Sequence, residues 1–136
     1  WRSESNNTSL VTMLRYGEVT FLFPGDTEAE AEAELVRLQE QNLDCTVLIA
    51  PHHGCRTSNS QVFVDHAAPE IVITSSGWKN RFHCPHPSVL ERYAERGCQI
   101  FGTDRHGAVE VRTDGRAVQV WTATGLHFQE DFTEDG

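Results

Sequence analysis

Two segments carry side chains that could hold a metal ion: Pro24-Gly25-Asp26, after Val19–Phe23, and Pro51-His52-His53-Gly54, after Val47–Ala50. Each preceding apolar run reads as a buried strand that stops at carboxylate or imidazole groups. In layered α/β folds, ligands sit beyond the carboxyl ends of strands, so placement and residue type agree. An aspartate and an adjacent histidine pair at one sheet edge amount to half of a metal-hydrolase centre.

Two readings stand for Asp26. After Pro-Gly it is a natural turn former or helix cap, in competition with Thr27. As a strand-anchored carboxylate it would instead bridge two metal ions. His52 and His53 are poorly explained by packing. Gly54 allows a sharp turn and leaves room for a ligand, so one imidazole can ligate metal while the other faces substrate. A third cluster is Asn80-Arg81-Phe82-His83-Cys84-Pro85-His86-Pro87. His83, Cys84 and His86 suggest a structural zinc site, but no second matching pair completes it. The other readings are a substrate loop offering Arg81 and His86 to an anion, and a rigid proline-bounded turn. Asp104-Arg105-His106-Gly107 reads as a hairpin turn, and no serine sits in a nucleophile-elbow context.

The elements that must position these groups follow from periodicity. Residues 9–15 and 19–23 flank Tyr16-Gly17-Glu18 as a hairpin. Thr27 reads as an N-cap with Glu30 completing a capping box, and the helix runs to about Gln41. Ala31, Leu35 and Leu38 would face inward, and Glu28, Glu30, Glu32 and Glu34 would form a solvated face. Strands are expected at 45–50 and 71–74. Short helices are expected from Ser60 to Ala67 and from Pro87 to Arg96, the latter with proline near its first turn. Residues 99–103, 108–113 and 117–122 complete the strands. The order ββαβαβαβββ implies a mixed sheet covered by helices. Residues 1–125 would form one unit, and the acidic residues 126–136 a frayed tail.

With 136 residues the chain suffices for one domain or a large piece of one, and its opening at Trp1 suggests an excised piece. The net charge of −9 argues against a general nucleic-acid-binding surface. Much of that acid is local to the glutamate ladder and the tail, which leaves room for a basic pocket around Arg56, Lys79 and Arg81. No apolar run approaches the roughly 20 residues that span a bilayer, and no signal peptide opens the chain. Cys45 and Cys98 read as buried thiols, whereas Cys55 and Cys84 lie in polar loops.

Together, Asn6-Asn7-Thr8-Ser9-Leu10-Val11, Phe21-Leu22-Phe23-Pro24-Gly25-Asp26-Thr27-Glu28 and Pro51-His52-His53-Gly54-Cys55-Arg56-Thr57-Ser58 resemble the metallo-β-lactamase-like domain of ComEC-type competence proteins. Asn80–Pro87 and Gly102-Thr103-Asp104-Arg105-His106-Gly107-Ala108 fit the same family, and the resemblance runs from about residue 6 to 122. It implies the C-terminal half of an αββα sandwich, from an inner-membrane channel protein that carries single-stranded DNA inward. Asp26 matches the bridging aspartate, His53 a late metal ligand and His52 a substrate-facing catalytic histidine. Arg81, His86 and Asn80 fall in the substrate loop. The complete domain would use two zinc or manganese ions to hydrolyse the strand that is not imported.

The family's His-x-His-x-Asp-His string is absent, so this chain alone is expected to bind metal weakly and to be inactive. Cys55 stands where the family has serine, and Cys84 where it has histidine. These departures keep open a non-catalytic module guiding DNA or partners, and a stand-alone small-molecule hydrolase. The resemblance also implies a soluble domain on the outer side of the inner membrane, attached to a channel domain. Loss of the partner sheet would bare an apolar face and favour homodimers.

Overall fold

Residues 5–133 are described in a computed structural model. Val19–Phe23 (β2), Val47–Ile49 (β3), Ile71–Thr74 (β4) and Gln99–Gly102 (β5) lie side by side in parallel, and Thr12–Tyr16 (β1) joins β2 antiparallel. Strands following one another in spatial order need crossovers of one hand, which puts every crossover helix on the same face. Ala29–Gln39 (α1), Gln61–Ala67 (α2) and Pro87–Glu95 (α3) accordingly share one core. Val36, Phe63, Val64, Val89 and Tyr93 pack there on Leu22, Leu48 and Val72.

The opposite face is covered by a second, antiparallel sheet of Val109–Thr113 (β6), Ala117–Thr122 (β7) and His127–Asp131 (β8). Val118 and Val120 meet Val19, Val47, Ile71 and Phe101 in a second core. The molecule is thus a mixed α/β fold with helices on one side of the main sheet and strands on the other. Among the described residues, no helix is long and apolar enough to cross a membrane.

Four expectations need correction. Residues 126–136 are not simply a frayed tail: residues 127–131 form β8, because pairing with β7 and the packing of Phe128 on Phe101 (6.2 Å between centroids) outweigh local polarity. Asp104–Gly107 is not a hairpin turn. A single helical turn, Thr103–His106 (α4), passes the chain from β5 in one sheet to β6 in the other, and the Thr103 hydroxyl fixes its start through Ser76. Thr27 is not the N-cap of α1; Glu28 takes that position without a side-chain cap, and the Ala29 amide donates to the Thr57 carbonyl instead. The bare apolar face is also narrower than expected, since β6–β8 cover its centre. What stays exposed is β1, with Leu14 at 54% and Tyr16 at 57%.

Removing residues 126–136 should therefore cost about 2 kcal/mol or more in urea unfolding, because Val118 and Val120 lose their cover. An unchanged midpoint would return this segment to the status of a passive tail.

Candidate active site

The loops after β2, β3 and β4 meet at one edge of the sheet, and each is shaped by its own sequence. In the first, Gly25 has φ +66°, and a Cβ there would stand 3.0 Å from Ser9 Cβ. Ser9 Oγ accepts from the Asp26 amide (3.3 Å), and Asn7 Oδ1 from the Glu28 amide (3.1 Å). Asn6 donates to Glu28 Oε1 at 3.2 Å, so residues 6–9 brace the aspartate loop from behind. The His52 amide donates to the Gly25 carbonyl (3.0 Å), which couples this loop to the next.

The second loop turns through three consecutive left-handed residues, His52 (φ 49°), His53 (φ 58°) and Gly54 (φ 82°). For a non-glycine residue this region costs on the order of 1–3 kcal/mol and persists only where the surroundings impose it. Asn59, fully buried, imposes it: its Nδ2 donates to the carbonyls of Pro51 and Cys55, both at 3.1 Å, and so brackets the histidine turn. Asn59 Oδ1 accepts from Tyr93 Oη at 2.6 Å, and Arg92 donates to its carbonyl. Its amide and those of Ser60 reach back to Glu32, which accepts from Asn59 N (2.5 Å), Ser60 N (2.8 Å) and Ser60 Oγ (2.6 Å). Burial pushes the Glu32 carboxyl above its ordinary value, and these donors oppose the shift.

The third loop is shaped by Asn80. Its Nδ2 donates to the carbonyls of Gly77 and Cys84, and its Oδ1 accepts from the amides of Phe82 and Cys84, both at 3.2 Å. A disulfide between Cys55 and Cys84 ties this loop to the histidine turn, and the His86 amide donates to the Gly54 carbonyl at 3.0 Å. A Cβ on Gly54 would come within 2.8 Å of Pro85 Cβ, so this close approach requires glycine.

At the centre, Asp26 Oδ1 and His53 Nε2 lie 3.5 Å apart. His53 Nδ1 is 2.8 Å from the Ser75 carbonyl, which can only accept. Nδ1 therefore carries a proton, and Nε2 is the ring nitrogen that faces the carboxylate. Two such donors can reach one cation at the usual ~2.0–2.2 Å. No group of three or more His, Cys, Asp or Glu side chains that could hold a metal ion converges among the described residues.

His52 is placed differently. Its Nδ1 lies 3.3 Å from Thr57 Oγ1, 3.5 Å from Ser58 Oγ and 3.7 Å from Glu28 Oε1. Both histidines line a cleft of about 790 Å³ together with Arg56, Phe82, His83 and His86. No carboxylate is among its lining residues. His86 doubles as the N-cap of α3, its Nδ1 accepting from the Ser88 amide at 3.2 Å. Arg81 is not in the cleft wall; its guanidinium lies over the Phe82 ring, 4.7 Å from the centroid. The structure thus brings His52, His53 and His86 to one cleft with Asp26 beside His53, uses the Asn80 amide to shape its own loop in the cleft wall, and leaves Arg81 out of that wall.

No family model matches the chain. ComE operon protein 3 of Bacillus subtilis is 32% identical over 114 residues, which are 84% of this chain and 15% of that protein. Competence protein ComA of Neisseria gonorrhoeae is 34% identical over 107 residues, 79% of this chain and 16% of that protein. Recombination protein 2 of Haemophilus influenzae is 33% identical over 106 residues, 78% of this chain and 13% of that protein. The chain belongs to the ComEC-type competence proteins. It spans about one-seventh of the length of these relatives.

In this ComEC-type domain, sequence reasoning missed Glu28, Glu32, Asn59 and the disulfide. Glu28 and Glu32 sit in a ladder that looks uniformly solvated, yet one lies beside His52 and the other is fully buried. The available signal was Asn59, the one residue after the histidine turn suited both to left-handed backbone and to bridging carbonyls. Asn59→Gly keeps the backbone permitted (φ 62°) and removes only the amide. It should cost about 2–4 kcal/mol in urea and speed amide exchange at His53 to Cys55; unaltered exchange there would remove Asn59 from its bracketing role. The disulfide spans 29 residues, so its reduction should cost about 3–4 kcal/mol by the chain-entropy relation. The buried Cys45 thiol, pushed up to about 12, should stay unmodified by alkylating reagents at neutral pH as long as the fold holds.

Proposed function

We propose that this chain is the C-terminal half of a metallo-β-lactamase-like domain in a DNA-uptake channel protein. The complete domain would be a metal-dependent phosphodiesterase acting on the DNA strand that is not imported. The observation that carries the reading is the facing pair Asp26 Oδ1 and His53 Nε2, with the imidazole tautomer fixed from behind by Ser75. An imidazole beside a carboxylate fits a divalent cation such as zinc or manganese, and the remaining ligands would come from outside this chain. A pair of such ions, when bound, would polarise the phosphoryl group and lower the pKa of water.

The chain's own residues would do the rest by positioning and charge. With Nδ1 held by Thr57, Ser58 and Glu28, His52 has Nε2 left to face an oxygen on the phosphate, where negative charge grows during hydrolysis. Arg56 in the cleft wall offers a planar fork matched to phosphate. His86 has its Nε2 left over after capping α3. A cleft wall without carboxylates, in a chain of net charge −9, favours an anionic ligand at this place. The Cys55–Cys84 disulfide supports an oxidising compartment, in keeping with a domain on the outer side of the inner membrane.

A second reading is a non-catalytic module that guides DNA or partner proteins to the channel. Its support is that only two metal donors converge among the described residues and that a disulfide occupies two family positions.

Hydrolysis of a model phosphodiester with zinc or manganese separates the two. The 136-residue chain alone should bind either ion weakly and cleave nothing. A domain completed with the upstream ligand segment should cleave, and Asp26→Asn or His53→Ala should lower its rate about 10²-fold or more. Robust cleavage by the 136-residue chain would refute the half-domain assignment, and a folded, metal-loaded, inert complete domain would establish the guiding module.

A further inference from the structure

Trp78 and Phe82, each 69% exposed, are the two most exposed aromatic side chains among the described residues. They stand on the third loop, at the lip of the cleft that Phe82 also lines. Such rings are expected to be covered in a chain that can bury them, and an exposed cluster beside a cleft marks a contact surface. Each ring has a cation over it: Lys79 Nζ lies 5.5 Å from the Trp78 centroid, and the Arg81 guanidinium 4.7 Å from that of Phe82. The loop is held in shape, with all four hydrogen-bonding positions of the Asn80 amide engaged inside it and Cys84 bonded to Cys55. Lys79 and His83 take left-handed backbone (φ 50° and 54°), which presents the rings rather than folding them in.

Charge follows the same boundary. Residues 71–90 hold no aspartate or glutamate, although the chain has 20 of them. Two aromatic side chains flanking two basic ones on a fixed loop match a polyanion with flat faces, and such faces are free only where bases are unpaired.

We propose that Trp78 and Phe82 form a base-stacking platform for single-stranded nucleic acid, with Lys79 and Arg81 holding its phosphates, and that this platform feeds the strand into the cleft. The proposal rests on the phosphodiester reading of the cleft and names the form of its substrate. A duplex shows only base edges and lacks the faces these rings need. An anionic lipid surface would also suit exposed aromatic and basic groups, but the continuity of Phe82 with the cleft wall favours a strand that passes from one to the other.

The test is fluorescence anisotropy with the 136-residue chain and three labelled probes: a twelve-nucleotide thymidine strand, an abasic phosphodiester chain of equal length, and a twelve-base-pair duplex. The base-bearing strand should bind about fivefold or more tighter than the abasic chain or the duplex. Trp78→Ala and Phe82→Ala should each weaken it about five- to 100-fold, leave the abasic chain unchanged, and be rescued by Trp78→Phe and Phe82→Tyr. Lys79→Ala and Arg81→Ala should weaken both single-stranded probes and each lower the salt slope by about one. Equal affinity for abasic and base-bearing probes overturns the platform while leaving the phosphodiester reading of the cleft intact. Binding of none of the probes overturns both. Loss of binding to anionic vesicles in Trp78→Ala, with strand binding unaltered, overturns the platform in favour of a membrane contact. If the completed domain proves inert yet the base preference persists, the platform stands and the catalytic reading falls.

Discussion

A turn with two consecutive non-glycine residues in the left-handed region does not hold itself. At His52 and His53 that conformation is held by the Asn59 amide, which bonds the carbonyls on either side of the turn. Asn59 is in turn fixed by Glu32 from α1 and by Arg92 and Tyr93 from α3. The position of one imidazole opposite Asp26 therefore depends on two helices that contribute nothing to the cleft surface. A buried polar network of this kind is expensive when partly satisfied and rigidifying when complete. Here the carboxylate, the amide and the phenol all have partners, so the network can maintain a backbone that local preferences resist.

The cleft wall is free of carboxylates although α1 begins in a run of glutamates. Three of these glutamates have separate partners. Glu34 pairs with Arg37 in solvent, Glu32 turns into the core to receive amide donors, and Glu28 lies 3.7 Å from His52 Nδ1, outside the cleft wall. An acid that faces backbone donors or the Nδ1 of an imidazole shapes the site with less repulsion of an anion than one in the cleft wall.

Much of the scaffold was legible in the sequence because it is written locally. The apolar runs at 19–23, 47–50 and 71–74 and proline at the start of α3 carry their own signals, and they sufficed to bring Asp26 and His53 to one edge. What was not legible depends on partners far along the chain. Glu32 reads as one rung of a solvated ladder because nothing in its own helix shows that the Asn59 and Ser60 amides, 27 and 28 residues later, will claim it. Cys55 and Cys84 differ in no local way from free loop cysteines; only the approach of two loops makes them a bond. The tail misleads for the opposite reason. Its acidity is a genuine local signal of disorder, overridden by Phe128 and by a neighbouring strand edge in need of a partner.

The disulfide changes what the cleft can be. Cys55 leaves the histidine turn and Cys84 belongs to the aromatic loop, so one covalent bond fixes the distance between the histidine edge and the rim. With the His86–Gly54 hydrogen bond and the close approach of Pro85 to Gly54, the third loop is restrained at the same place by three independent means. A loop so held pays little entropy to order on binding, so affinity would come from the contacts it already presents. It also has little freedom to swing inward over Asp26 and His53. Anything that binds against Asp26 and His53 must therefore match an edge whose geometry is already set.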